Sequence, residues 1–335
     1  MRLPEIKNPV AYFCAEFAID NDLPTYSGGL GILAGDLLNS AATKHFPIVG
    51  IGNLYNGKQF IQHITGAGRE EKRDSEFDHD SSFLRQTTQK GDVIKFSLPS
   101  PSGEVFIKSY HERLSDTTIV FFLSTDLDGN PPEWISDMDA LYKGDANSQV
   151  RQQILLGVGG IKLLNILNIK PRIYHLNEGR PCFIIWELAS NIMKEEKISF
   201  TEAWNKAKEK IVYTNHTLVA AGNLTYPSEI VKWWATPFAK NLGVDVNLLI
   251  KDGLTDPQTF SITLFALNIS KKHSSVSKVH AEYAKREWPN YDWISITNGV
   301  VSLFFNFFSE HFWWVLVIQI QELSTVWPFA KTVAV

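Results

Sequence analysis

The sequence predicts an α/β fold built around a parallel sheet, and three observations support this. An apolar, strand-like run at 10–14 leads through a glycine-rich turn at 26–31 into a helical pattern at 32–44. A second apolar run follows at 47–51. A strand, a helix and a second strand in this order form a βαβ unit, whose strands pair in parallel. The same alternation returns after residue 147 and extends the predicted sheet.

Between these two stretches the chain changes character. Residues 64–90 are polar and charged, and we interpret them as a surface excursion. Residues 91–125 form a β-rich excursion, because the β-like runs at 93–98 and 105–110 flank the turn sequence PSPSG. That arrangement is typical of a hairpin, and a further strand is predicted at 118–123.

The second half of the chain repeats the strand and helix rhythm. Apolar residues at helical spacing predict a helix near 147–167. A strand is expected at 172–176, followed by a helix through 184–188. A helix at 200–209 then leads into a strand at 211–213.

Composition excludes several classes of protein. The 335 residues carry a formal net charge of −4 and no basic run, which does not favour nucleic acid as a partner. The only cysteines, Cys14 and Cys182, lie far apart and form no disulfide or metal-ligand pattern, so we expect a cytoplasmic protein without a metal site. The start of the chain has no apolar signal-peptide core. The length permits one large domain or two of average size.

Polar residues follow three of the predicted strands. The glycine turn contains Gly28 and Gly29 before Leu30, and bare N–H groups at the start of a helix favour a phosphate or another anion. In an open parallel sheet, ligands bind beyond the carboxyl ends of the strands. Asn177-Glu178 and Asn215-His216 also follow strands, so three polar strand ends point to one site. Taken singly, each is equally consistent with a tight connection or a helix cap.

Glu178 and His216 are the principal candidates for chemistry. A carboxylate and an imidazole that face one cleft can orient sugar hydroxyls or take part in acid–base steps. His175, inside a strand, is interpreted as a core histidine. The pair Trp233-Trp234 is consistent with a sugar-stacking platform, but core packing is the preferred interpretation.

Three aspartates, at positions 137, 139 and 145, are a further candidate for a cation site. Their irregular spacing indicates a solvated loop instead.

A set of sequence motifs occurs in a fixed order along the chain. They are YFCAEF (12–17), LPTYSGGLGILAGD (23–36), LYKGD (141–145), RQQILLG (151–157), HLNEG (175–179), YTNHT (213–217), GN (222–223), VSKVH (276–280) and TNGV (297–300). Together they resemble the shorter bacterial and archaeal type of α-glucan (glycogen, starch or maltodextrin) phosphorylase, and the resemblance covers about residues 10–300.

The resemblance implies a GT-B glycosyltransferase with an active site between two Rossmann-like lobes, of which residues 1–300 are the N-terminal one. Its reaction would transfer a glucosyl unit from an α-1,4-glucan to inorganic phosphate and release glucose 1-phosphate. The implied cofactor is pyridoxal phosphate, whose phosphate group assists proton transfer. Its Schiff-base lysine belongs to the second lobe in the family.

The resemblance also implies roles for individual residues. Gly28, Gly29 and Leu30 match the loop near the substrate and cofactor phosphates, with Gly29 on the cofactor's phosphate side. His216 matches the catalytic histidine that holds the glucosyl unit. The substrate-binding residues that line the cleft are, by the same comparison, Asn177, Glu178 and Asn215.

The chain departs from the family pattern in three places. Arg180 stands where many members have histidine, and Lys143 stands where glycine is common. After residue 300 no second lobe follows, so we expect the chain alone to be inactive. Two alternatives stay open, a starch or glycogen synthase-like transferase that uses a sugar nucleotide, and a non-catalytic glucan-binding or decayed fragment. The preferred glucan, the regulation and the oligomeric state are not indicated by the sequence.

Residues 301–335 break the pattern, because nine of these 35 residues are aromatic. Polar residues from Asn306 to His311 interrupt the run too early for a membrane helix, which needs about 20 mostly apolar residues. We interpret the segment as an aberrant tail, for example the product of a frameshift.

Because exposed apolar patches promote aggregation, deleting residues 303–335 is expected to raise the soluble fraction on expression. Unfolding of the shortened chain would show instead that the tail belongs to the core.

Overall fold

The computed structural model describes residues 3–20, 23–57, 60–64, 70–74, 84–89, 91–142, 144–219 and 223–298, with the backbone alone at 60–64 and 70–74. The predicted tail at 301–335 and the residue Lys143 lie outside the described residues.

The strands are, in chain order, β1 (Val10–Cys14), β2 (Ile48–Asn53), β3 (Phe60–Ile64), β4 (Glu70–Asp74), β5 (Arg85–Gln86), β6 (Thr88–Gln89), β7 (Asp92–Val93), β8 (Lys95–Ser100), β9 (Gly103–Arg113), β10 (Thr118–Ser124), β11 (Ile173–Asn177), β12 (Ile211–Asn215), β13 (Thr225–Pro227), β14 (Leu254–Asp256), β15 (Thr259–Ser261), β16 (Lys272–Ser275) and β17 (Trp293–Ser295).

The helices are α1 (Gly29–Thr43), α2 (Pro132–Ser136), α3 (Ala146–Ile154), α4 (Gly160–Ile166), α5 (Ile184–Glu196), α6 (Phe200–Lys208), α7 (Ser228–Leu242), α8 (Asn247–Ile250), α9 (Ile262–Asn268) and α10 (Lys278–Glu287). A π turn at Leu155–Gly159 joins α3 to α4, and a 3₁₀ turn at Lys251–Gly253 follows α8.

The central sheet contains both parallel and antiparallel strands. Its order is β17-β16-β12-β11-β1-β2-β10-β9-β5, and β8 also pairs with β9. The seven strands from β17 to β10 run parallel, whereas β9 is antiparallel to β10, and β5 and β8 are antiparallel to β9.

The strand order reverses beside β1. The chain moves outward from β1 through β2 to β10, and then returns to place β11 on the other side of β1. Successive strands β12, β16 and β17 continue in that opposite direction. In open α/β sheets such a reversal opens a crevice at the carboxyl ends of the two strands, where ligands bind.

The two faces of the sheet bury alternate residues of the same strands. On β1, Val10, Tyr12 and Cys14 lie in one apolar cluster with Leu38 of α1. The intervening Phe13 belongs to the larger cluster on the opposite face, with Ile161 of α4. This period of two follows from the pleat of a strand and leaves both faces covered by helices.

The excursion predicted at 91–125 is β-rich, but it is not separate from the main sheet. Strands β8 and β9 form the predicted hairpin, and β9 pairs with β10. Strand β10 lies parallel to β2 and is buried along its whole length. The sequence identified the strands, whereas their position in the sheet depends on partners distant along the chain.

The helix predicted near 147–167 is observed as α3, the π turn and α4. The interpretation of the preceding aspartates as a solvated loop is wrong for Asp137, which is buried, whereas Asp145 is exposed. Its carboxylate is 2% exposed and forms a bidentate ion pair with Arg151 of α3. Asp145 caps the same helix by accepting a hydrogen bond from Ser148 N at 3.0 Å.

The two tryptophans of α7 take different positions. Trp234 is buried and lies edge-on to Trp134, which agrees with the predicted core packing. Trp233 is exposed. Within the described ranges, no helix has both the length and the apolar character that a membrane crossing demands.

Candidate functional site

The candidate site lies where β1, β11 and β12 end. The strands are parallel neighbours, and Asn177 is in register with both Cys14 of β1 and Thr214 of β12. Their carboxyl ends therefore meet at one edge of the sheet, next to the reversal of strand order. The structure brings Asn177, Glu178 and His216 together at this edge.

A hydrogen-bond chain across the three strands orients the histidine. Asn177 Nδ2 donates to Cys14 Sγ at 3.2 Å, which turns the amide oxygen toward the next strand. That oxygen lies 2.6 Å from His216 Nε2. Since an amide oxygen only accepts, Nε2 carries the ring proton and donates. The imidazole therefore presents Nδ1 as its hydrogen-bond acceptor.

The imidazole of His216 is uncharged at neutral pH. Burial, and to a smaller extent the nearby His280, lower its pKa to about 4. Burial, and the positive charge that His216 carries below its own pKa, likewise lower the pKa of His175 to about 3. His175 is buried beside Tyr12, with Nε2 2.7 Å from Thr214 Oγ1, in agreement with its interpretation as a core histidine.

Glu178 adopts an uncommon backbone conformation, with φ at 69°. For a residue with a side chain, this left-handed region costs about 1–2 kcal/mol. The conformation allows Glu178 Oε1 to accept a hydrogen bond from His216 N at 2.8 Å. Burial raises the pKa of Glu178 to about 7, although this hydrogen bond and the charge of Arg180 oppose the increase. Strained residues of this kind are concentrated at functional sites.

The glycine turn occupies the same edge, after β1. Gly28 and Gly29 are exposed, and a Cβ added at either would meet no atom within 4 Å. The N–H groups of Gly29 and Leu30 belong to the first turn of α1 and have no carbonyl partner within the helix. The N–H of Gly28, by contrast, donates to Glu16 Oε2 at 3.0 Å, so it points into the protein.

The helix α1 approaches the segment after β1 very closely. A Cβ at Gly31 would lie 2.4 Å from Tyr26 Cβ, and one at Gly35 would lie 2.1 Å from the carbonyl oxygen of Ala18. Only glycine permits this contact, which fixes the start of α1 against the end of β1.

Two predicted residues have a mainly structural environment. Asn215 is fully buried, and its Nδ2 donates to the hydroxyl of Tyr213 at 2.9 Å. The side chain of Leu30 is half-buried against the apolar cluster of α1. Among the residues that the structure describes, no three His, Cys, Asp or Glu side chains are grouped as metal ligands.

The sequence reasoning did not assign Glu16 or Tyr142 to the site. Glu16 is buried and binds the glycine turn, and the hydroxyl of Tyr142 donates to Glu16 Oε1. The Arg180 guanidinium lies 4.2 Å from the centroid of the Tyr142 ring. Glu16 follows the predicted strand at 10–14 by two residues, so the same strand-end rule would have identified it.

The raised pKa of Glu178 predicts a pH dependence of its contribution to stability. Because the folded protein binds this proton more tightly than the unfolded chain does, that contribution falls as the pH rises from about 4.5 to about 7. The lowered pKa values of His175 and His216 act in the opposite direction, so the test compares variants with the wild type. Urea unfolding at pH 5 and pH 7.5 measures the effect for the wild type, for Glu178→Gln and for the exposed control Glu229→Gln. Between these pH values the free energy of unfolding of the wild type should fall relative to that of Glu178→Gln and change in parallel with that of Glu229→Gln. A constant difference between the wild type and Glu178→Gln would contradict the assignment.

No protein-family model matches the chain. Comparison with curated proteins finds 33% identity over 287 residues with the maltodextrin phosphorylase of Thermococcus litoralis, covering 85% of the chain and 34% of that protein. The glycogen phosphorylase of Aquifex aeolicus is 29% identical over 293 residues, covering 84% of the chain and 41% of the relative. The glycogen phosphorylase of Mycobacterium tuberculosis is 27% identical over 313 residues, covering 87% of the chain and 36% of the relative.

The three relatives are α-glucan phosphorylases, a glycosyltransferase family. The chain is homologous to them over 84–87% of its residues, as the motifs predicted. The chain spans between about a third and two-fifths of the length of these curated relatives.

Proposed function

We propose that residues 1–300 form the N-terminal, Rossmann-like lobe of a GT-B α-glucan phosphorylase. The reaction transfers a glucosyl unit from an α-1,4-glucan to inorganic phosphate and yields glucose 1-phosphate. One observation carries this proposal, namely the convergence of Asn177, Glu178 and His216 with the glycine turn at one edge of the sheet.

In the proposed site, His216 holds the glucosyl unit. Its uncharged ring donates Nε2–H to Asn177, so Nδ1 is free to accept a hydrogen bond from a sugar hydroxyl. The half-buried carboxyl of Glu178 lies beside it and supplies a second acceptor when ionised. Asn177 orients the imidazole, and Asn215 supports the strand end from the interior.

The glycine turn is proposed to bind the phosphate groups. The N–H groups of Gly29 and Leu30 and the positive end of the α1 dipole favour an anion. The open space at Gly28 and Gly29 leaves room for a phosphate group, so Gly29 would hold the phosphate of pyridoxal phosphate. When bound, that cofactor supplies a phosphate group that assists proton transfer to inorganic phosphate.

Calorimetric titration of the chain with glucose 1-phosphate tests the proposal. We expect saturable binding that inorganic phosphate weakens by competition. ADP-glucose and UDP-glucose serve as comparison ligands, because preference for a sugar nucleotide would indicate a synthase-like transferase. Binding of maltoheptaose without any binding of glucose 1-phosphate would indicate a glucan-binding module instead.

A further inference from the structure

A single carboxylate holds the start of α1 in place. Glu16 is buried, and its Oε2 accepts hydrogen bonds from Ser27 N at 2.8 Å and from Gly28 N at 3.0 Å. Hydrogen bonds to an ionised acceptor are roughly twice as strong as those between neutral groups. Glu16 therefore fixes the conformation of the turn that precedes the exposed N–H groups of Gly29 and Leu30.

The other oxygen of this carboxylate is bound by Tyr142. The hydroxyl of Tyr142 donates to Glu16 Oε1, and burial together with the Glu16 charge raises the pKa of the phenol well above its ordinary value. The donor proton therefore remains on Tyr142 across the physiological pH range. Tyr142 has φ at 60°, in the left-handed region, so its backbone is held in a costly conformation that directs the ring to Glu16.

The ring of Tyr142 is in turn covered by Arg180. The guanidinium carbon lies 4.2 Å from the ring centroid, within the range of a cation–π contact. Arg180 is two residues beyond Glu178, and its positive charge acts to lower the pKa of that carboxyl. The same guanidinium thus interacts both with the Tyr142 ring and with the Glu178 carboxyl.

We propose that Arg180 is a positioning residue for the glycine turn, acting through the ring of Tyr142 and the carboxylate of Glu16. The stacked guanidinium restrains the Tyr142 ring, the phenol restrains Glu16, and Glu16 restrains the N–H groups of Ser27 and Gly28. The consequence of this arrangement for ligand binding rests on the proposed function, in which the turn binds a phosphate group. The contacts themselves are independent of that function.

Amide hydrogen exchange at Ser27 and Gly28, measured by NMR on the full chain without ligand, tests the proposal. Tyr142→Phe removes the phenol but keeps a ring for Arg180, and it should accelerate exchange at both amides about tenfold, as expected for one lost hydrogen bond. Arg180→Lys keeps the charge but loses the planar stacking, and it should accelerate exchange about threefold. In the double variant, Arg180→Lys should add nothing, because the connection to Glu16 is already broken.

Tyr291→Phe is the matched control. It removes a phenol that donates to Asn268 Oδ1 at 2.7 Å, far from the turn in the sequence, and should leave exchange at Ser27 and Gly28 unchanged. No acceleration by Arg180→Lys in the wild-type background would overturn the proposal. The proposal would also be overturned if Arg180→Lys accelerated exchange as much in the Tyr142→Phe background as in the wild type, because Arg180 would then act by another route.

A phosphate titration of the same proteins separates this inference from the proposed function. If the exchange pattern is as expected and inorganic phosphate binds more weakly to Tyr142→Phe, both are supported. If the exchange pattern is as expected but the wild type binds no phosphate, the positioning role stands and the proposed function fails. An exchange pattern unlike that expected overturns the positioning role, whatever phosphate does.

Discussion

Replacing Asp137 with alanine is expected to lower the free energy of unfolding by about 3–5 kcal/mol, because it leaves a buried arginine without its counter-ion. The side chain of Arg151 is 8% exposed, and both its Nε and Nη2 donate to the Asp137 carboxylate. Its guanidinium also lies over the rings of Trp134 and Trp234, which cannot neutralise the charge. Urea unfolding monitored by tryptophan fluorescence measures the loss.

Two control variants show whether the effect comes from the uncompensated charge. Asp116→Ala removes an exposed partner of Arg113 and should change stability too little to resolve. Asp137→Leu combined with Arg151→Met removes both charges and should recover most of the stability. If Asp137→Ala lowered the free energy of unfolding by less than about 1 kcal/mol, the expectation would be contradicted, because exposed ion pairs screened by solvent contribute that little.

Replacing His216 with alanine is expected to weaken the binding of glucose 1-phosphate by about fivefold to 150-fold. This range corresponds to about 1–3 kcal/mol, the cost of losing a hydrogen bond and leaving buried polar groups without a partner. The variant removes the proposed sugar contact and also leaves Asn177 Oδ1 without the Nε2 donor. Calorimetry on the chain measures the affinity, and kcat/KM measures the loss in an enzyme that contains this lobe.

His45→Ala provides the matched control, because His45 is exposed and follows the carboxyl end of α1. Its replacement should leave the affinity unchanged. Equal affinities of the wild type and His216→Ala would leave the cleft in place but remove His216 from the proposed mechanism.

Local sequence patterns predicted the parts of the fold that depend on residues close together in the sequence. The apolar run at 10–14 and the glycine turn before α1 predicted a βαβ unit because a buried strand and a tight turn each leave a short-range signal. The strand-end rule likewise placed Asn177 next to His216, since parallel neighbours end at the same edge. The sequence did not predict that β10 would pair with β2, because strand pairing depends on residues far apart along the chain.

The residues that were missed act over long sequence distances. Glu16 binds Tyr142 across 126 positions, and neither residue carries a local signal for that contact. Asp137 was assigned to a loop because its spacing from the other aspartates is irregular, whereas its burial results from a partner 14 residues later. The Gly28 N–H, expected to face a bound ligand, instead donates to the side chain of Glu16 within the protein.

The central claim is that the glycine turn and the Asn177–Glu178–His216 group form one ligand site. An NMR titration of the chain with glucose 1-phosphate tests it most directly, by following the Gly29 amide and the His216 ring together. The account predicts that both signals shift along saturable curves with the same Kd. Shifts at the Gly29 amide with no change at His216, or two different Kd values, would contradict a shared site.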